Sequence, residues 1–148
     1  MTLDEFAKLE GKEFFVSDWL LIDQGRINTF AEATSDHQWI HLDPERCKQD
    51  SPWGVTIAHG FLTLSLIPYF INQYTDGLNL QHKINYGLDK TRFMEAVRVN
   101  DMVRGRFKLL EAKALKGTML KTTVEVTIEI EGRAKPACVA ISILLMVG

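Results

Sequence analysis

The order of apolar and polar positions divides the chain into a helix-prone front half and a strand-prone back half. Leu3 to Leu9 has the spacing of a short opening helix. Asp23 is placed to cap a second helix, with Ile27, Phe30, Ala31 and Ala33 on one face, ending near Thr34 to Asp36. Asp43-Pro44-Glu45 marks a third start. A carboxylate caps, a proline takes the first turn, where no N–H is needed, and an acid follows near the positive helix end. Ser51-Pro52-Trp53-Gly54 reads as a loop. Ala58 to Tyr74 is then apolar almost all the way round, the pattern of a helix buried on several sides. Pro68 should bend it, because proline removes one backbone hydrogen bond and crowds the carbonyl four residues earlier.

The back half changes period. Val103, Gly105, Phe107 and Leu109 alternate with Met102, Arg104, Arg106 and Lys108. Val124, Val126, Ile128 and Ile130 alternate with Glu125, Thr127, Glu129 and Glu131. Period two over such lengths predicts half-exposed strands. Glu131-Gly132-Arg133, followed by Pro136, reads as a turn into a last strand from Ala137 to Val147. Leu80 to Asn85 and Lys90 to Phe93 form two strand pieces either side of Gly87. One buried helix with several sequential, antiparallel strands predicts an α+β layer fold. The 148 residues fit a single domain, 1–148, large enough to bury a core without metals or disulfides.

Composition narrows the function classes. A net charge of −2, with the basic residues dispersed, gives no electrostatic case for nucleic acid. The longest apolar run, Phe61 to Ile71, is interrupted by Thr63, Ser65 and Pro68 and is too short to span a membrane. The acidic start, Met1 to Phe6, lacks an apolar leader, so a cytoplasmic location is expected. In that compartment Cys47 and Cys138 are expected as free thiols.

Candidate chemistry concentrates in two stretches. Phe30-Ala-Glu-Ala-Thr-Ser-Asp36-His-Gln-Trp-Ile-His41 places Asp36, His37 and His41 just after a helix. A carboxylate beside an imidazole raises its proton affinity, and the two together can hold a water by two hydrogen bonds. Taken alone, the plainer reading of Asp36 as a turn cap and His41 as a carbonyl donor comes first. Ala58-His59-Gly60, at the start of the buried helix, supplies backbone N–H groups without internal partners, able to polarise a carbonyl oxygen. Easing tight packing explains Gly60 equally well. Ser65, five residues on, can serve a site or bond back to the helix. His37 and His41 have the spacing of a zinc helix, but Gln38 stands where the general-base glutamate is required, and no metal is expected. No G-x-S-x-G elbow or glycine-rich phosphate loop is present.

Together the stretches are more specific. Asp36-x4-His41, then Ala58-His59-Gly60 and Ser65, resembles the MaoC-like (R)-specific enoyl-CoA hydratase family. Asp36-His-Gln-Trp-Ile-His41-Leu-Asp-Pro-Glu-Arg46 is similar to its NodN-like branch. Ile84-Asn-Tyr-Gly87, Lys90-Thr-Arg-Phe93 and Lys135-Pro-Ala-Cys-Val139 extend the resemblance over nearly the whole chain. The resemblance implies a hot-dog fold, an antiparallel sheet wrapped around a central helix at about 58–74. It implies a homodimer with the acyl tunnel near its interface. It also implies reversible hydration of a trans-2-enoyl-CoA, or of an acyl-carrier-protein thioester, to the (R)-3-hydroxyacyl product without a cofactor. Carried over, Asp36 and His41 become the acid–base pair. Gly60 holds the thioester carbonyl, Ser65 orients the pair, and His59 matches the substrate-binding motif without a chemical role of its own. Many members have glycine before the aspartate where this chain has Ser35. Two other functions are compatible with the same fold: an acyl-CoA thioesterase and a non-catalytic acyl-thioester-binding subunit. No Asp or Glu between Ala58 and Thr75 is available to aim a hydrolytic water.

Overall fold

The computed structural model describes residues 1–148. In chain order it places α1 (Leu3–Ala7), β1 (Glu13–Val16), β2 (Leu20–Ile22), α2 (Gln24–Thr34), α3 (Trp39–Leu42) and α4 (Pro44–Asp50). Then follow α5 (Gly60–Ser65), α6 (Ile67–Thr75), β3 (His82–Phe93), β4 (Asp101–Ala114), β5 (Met119–Ile130) and β6 (Cys138–Val147). The strands form one antiparallel sheet in the order β1-β4-β5-β6-β3, with β2 also paired to β4.

The period-two segments behave as expected. In β5 and β6 every second residue is buried, which turns Val124, Val126, Ile128 and Ile130, and Ala140, Leu144 and Met146, onto one face. Leu62, Leu66, Ile67, Phe70 and Ile71 of α5 and α6 share a single core with that face. The outer face is apolar along β6, at Val139, Ile141, Ile143, Leu145 and Val147, and mostly polar along β4 and β5. There Arg104 and Arg106 donate to the two carboxylate oxygens of Glu129 at 2.7 and 2.9 Å. Burial raises Glu129 toward neutrality, but its two arginine partners win and hold it below the ordinary carboxylate range.

The helix starts follow their caps. Asp23 accepts from the Arg26 N–H and Asp43 from the Arg46 N–H, so α2 and α4 begin where the sequence places them. Ser35 ends α2 in the left-handed region at φ 59°, a conformation glycine adopts without strain.

Four features differ from expectation. The helix over 58–74 is two helices, α5 and α6, joined at Leu66 rather than bent at Pro68. Proline lacks the N–H that would bond to the Leu64 carbonyl. The preceding turn tightens instead, with Leu66 N–H donating to Thr63 at three residues' separation. The two strand pieces around Gly87 form one strand, β3, whose pairing with β6 shifts between Asn85 and Gly87 and again between Asp89 and Arg92. Strands β1 and β2 escape the pattern because Phe14-Phe15-Val16 and Leu20-Leu21-Ile22 do not alternate. Helix α3 is one turn long and has no period to read.

Gly105 lets helix and sheet approach. A Cβ built there would lie 2.6 Å from the Phe107 ring and 3.2 Å from Cβ of Phe70 on α6. Gly105→Ala should therefore lower stability by about 1–3 kcal/mol through overpacking. Urea unfolding measures this, and an unchanged midpoint would show that the Phe107 ring moves aside freely.

Candidate active site

His41 and Asp36 meet at a junction of three short segments. His41 lies on α3, after the loop that carries Asp36. Residues 56–58 run beside it. Ile57 N–H donates to the Ile40 carbonyl at 3.1 Å, while Ala58 N–H reaches Val97 and Thr56 accepts from Val99. This segment is thus tied to the strand entering β4 on one side and to α3 on the other.

The imidazole of His41 is buried at 5% exposure, with Nδ1 2.7 Å from the Ile57 carbonyl. A carbonyl can only accept, so Nδ1 carries the hydrogen, and Nε2 is left as the free basic nitrogen of the neutral ring. Burial lowers the His41 pKa below its ordinary 6.5. The Ile57 bond opposes this, nearby His59 adds to the lowering, and Asp36 opposes it again. Asp36 itself is exposed, so the pair combines a buried base with a solvent-facing carboxylate.

His59 completes the arrangement from below. Its Nε2 lies 3.0 Å from the backbone carbonyl of Asp36, which assigns the hydrogen to Nε2. Its ring stacks on His41 at 3.7 Å between centroids, and Phe30 packs at 4.9 Å. At 2% exposure His59 offers substrate almost no surface. It fixes the backbone of Asp36 and the plane of His41, and its Nδ1 is buried without a partner.

Donor atoms of Asp36, His41 and His59 come within 4.8 Å of one another. His37 is not part of this trio, because it turns outward to Glu32 at 2.8 Å. The ring planes of His41 and His59 are only 23° from parallel. Rings so nearly parallel at 3.7 Å hold their in-plane lone pairs in separate planes, a poor geometry for two zinc–imidazole bonds of roughly 2.0–2.1 Å. The arrangement suits holding a water better than chelation.

Gly60 is the first residue of α5, and its N–H donates to no acceptor in the chain. A Cβ there would press on the Phe93 ring at 3.2 Å, so glycine is also a packing requirement. The packing reading of Gly60 is met, and its N–H is left unpartnered within the chain. Ser65 is not brought to the pair: its hydroxyl donates to the Leu62 carbonyl at 2.7 Å. Five helical steps turn it about 140° from Gly60 around the axis. It borders instead two grooves. One, of about 390 Å³, lies against Asn85–Leu88 of β3, and the other, of about 620 Å³, lies against α2.

Sequence reasoning missed Gln24, the first residue of α2. Its side-chain amide donates to the His41 carbonyl at 2.8 Å and to Asn28 at 2.9 Å, and it accepts from the Thr56 hydroxyl. No sequence signal marks it, since a glutamine after a capping aspartate is an ordinary surface residue.

The lowered pKa of His41 has a sign that can be checked. The folded state holds its proton less tightly than the unfolded chain. The contribution to stability is whole above pH 6.5 and is lost as pH falls below 6.5 toward the folded value. Nuclear magnetic resonance (NMR) titration should give His41 a midpoint below 6.5. Urea unfolding of His41→Asn should show less loss between pH 7 and 5 than the parent. A midpoint at or above 6.5 would contradict the assignment.

Comparison with known proteins places the chain in a family. The family model described as the MaoC like domain matches residues 5–131. The chain is 46% identical over 140 residues to 3-hydroxyacyl-thioester dehydratase Z of Mycobacterium tuberculosis, covering 95% of this chain and 92% of that protein. It is 48% identical over 147 residues to nodulation protein N of Rhizobium leguminosarum, covering 95% and 88%. The solved structure of a monoamine oxidase regulatory protein from Archaeoglobus superposes with a TM-score of 0.80 at 21% identity, covering 93% of this chain and 90% of that one. A MaoC model matched over most of the chain, with close relatives of that length, establishes that this hot-dog protein belongs to the MaoC-like family, on the branch that includes the NodN proteins.

Proposed function

We propose that the protein reversibly hydrates a trans-2-enoyl thioester to the (R)-3-hydroxyacyl thioester, with Asp36 and His41 as its acid–base pair. The observation that carries this is a buried, neutral His41 whose free nitrogen accompanies an exposed carboxylate. In hydration, water oxygen bonds to C3, the π bond breaks toward C2, and a proton is delivered at C2. One of the pair removes the proton from water and the other supplies the proton at C2. Because the groups are coupled, the steps belong to the pair. The Gly60 N–H would hold the thioester oxygen, where enolate-like charge develops, and its lack of an internal acceptor supports this role. Family membership supports the reaction class, and the relative from Mycobacterium tuberculosis carries the name 3-hydroxyacyl-thioester dehydratase. Hydrolysis of the thioester is less well supported, since α5 and α6 carry no carboxylate.

The thiol carrier is coenzyme A or an acyl carrier protein, and the acyl chain fits the groove between Ser65 and β3. That groove lies beside the free edge of the sheet. Strand β3 pairs only with β6, and Ile84, Tyr86 and Leu88 are exposed along it at 43%, 62% and 47%. An unpaired edge with exposed apolar side chains favours a homodimer joined at β3, with the acyl groove closed by the second copy. Tyr86→Arg combined with Leu88→Glu should then yield a folded monomer with weakened activity, as sedimentation equilibrium and circular dichroism would report. A dimer that survives this double substitution would place the interface elsewhere.

The reaction is tested by mixing protein with crotonyl-CoA and following loss of enoyl absorbance, with a thiol reagent present. Rapid loss without free thiol is expected, and Asp36→Asn and His41→Ala should each lower the rate by at least roughly a hundredfold. Release of free CoA would identify a thioesterase. Tight binding of enoyl-CoA without turnover would leave a carrier-protein substrate or a binding subunit.

A further inference from the structure

We propose that Gln24 is a positioning residue for His41, acting through the backbone of α3 and anchored by Thr56. This rests on the reading of His41 as the catalytic base.

Helix α3 has four residues, far below the length at which a helix holds itself in water. Its carbonyls must find partners outside the helix. Trp39 accepts from Asp43 N–H and Ile40 from Ile57 N–H. The carbonyl of His41 itself is satisfied by the side chain of Gln24, at 2.8 Å.

The orientation of the Gln24 amide follows from its partners. A carbonyl only accepts, so the NH2 group must face His41 and Asn28, and Oε1 must face Thr56. Thr56, at 1% exposure, donates its hydroxyl to that oxygen. A flipped amide would set oxygen against the His41 carbonyl, so that carbonyl selects the orientation, and the Thr56 hydroxyl anchors it by donating to Oε1. The next residue, Ile57, receives the His41 Nδ1–H. The circuit Gln24–His41–Ile57–Thr56–Gln24 therefore closes. It fixes the His41 backbone at one end and the ring at the other. With Gln24 removed, the His41 carbonyl is unsatisfied and α3 can shift, taking Nε2 away from the water shared with Asp36.

The test compares Gln24→Leu, which keeps size and removes the donor, with Thr56→Val and the double variant. Displacement of a catalytic group by about an ångström lowers kcat by up to on the order of a hundredfold. Gln24→Leu should fall at least tenfold toward that limit with KM close to the parent. Thr56→Val should fall less. The double variant should be no worse than Gln24→Leu alone, because both substitutions break one circuit. NMR of the His41 Nδ1–H adds a readout independent of turnover: its signal should be protected in the parent and exchange faster in both single variants. Thr56→Val is the milder probe if Gln24→Leu is too unstable to assay. Retained kcat and an unchanged Nδ1–H signal in Gln24→Leu would overturn the proposal while leaving the hydratase reading intact. Additive losses in the double variant would also overturn it. If the parent protein has no hydratase activity, the hydratase reading fails and the NMR comparison still decides the circuit.

Discussion

The hydrogen bond from His41 Nδ1 to the Ile57 carbonyl is the contact on which the site depends. It sets the tautomer, leaves one basic nitrogen for chemistry and fixes the ring plane on which His59 stacks. The carbonyl is itself anchored, because residues 56–58 bond to residues 97–99 just before β4. The sheet thus carries the imidazole through one intervening segment. The position of α3, a helix too short to be stable alone, is borrowed from the approach to β4, the strand that pairs with three others.

The same economy governs the carboxylate. Asp36 has only one weak side-chain contact, a 3.4 Å approach from the Gln38 N–H. Its position is set through its backbone by His59, a buried residue at the entrance to α5. Burial and exposure are divided between the partners. Desolvation favours the neutral imidazole, and the carboxylate remains in contact with water. The central helix is broken at Leu66, and Ser65, just before the break, faces the grooves rather than the pair.

Much was legible in the sequence. Alternation over 101–147 specified three long strands, because side chains on a pleated strand must face opposite sides. Asp23 and Asp43 specified two helix starts, because a carboxylate satisfies otherwise unpartnered N–H groups. The spacing Asp36-x4-His41, with Ala58-His59-Gly60, specified which residues to examine. Each of these signals is local: its physical cause lies within a few residues of the chain.

What only the tertiary structure decided involves partners far apart in sequence. Gln24 meets His41 and Thr56, His59 meets Asp36, and Gly105 admits Phe70, and no local pattern encodes such meetings. Ser65 is a further case: the sequence left open whether its hydroxyl serves a site or bonds back to the helix, and in the fold it donates to the Leu62 carbonyl. The sequence by itself determined the elements and the chemical groups. Tertiary structure decided tautomer, burial and the supporting hydrogen bonds, because these depend on desolvation and on acceptors supplied by other segments.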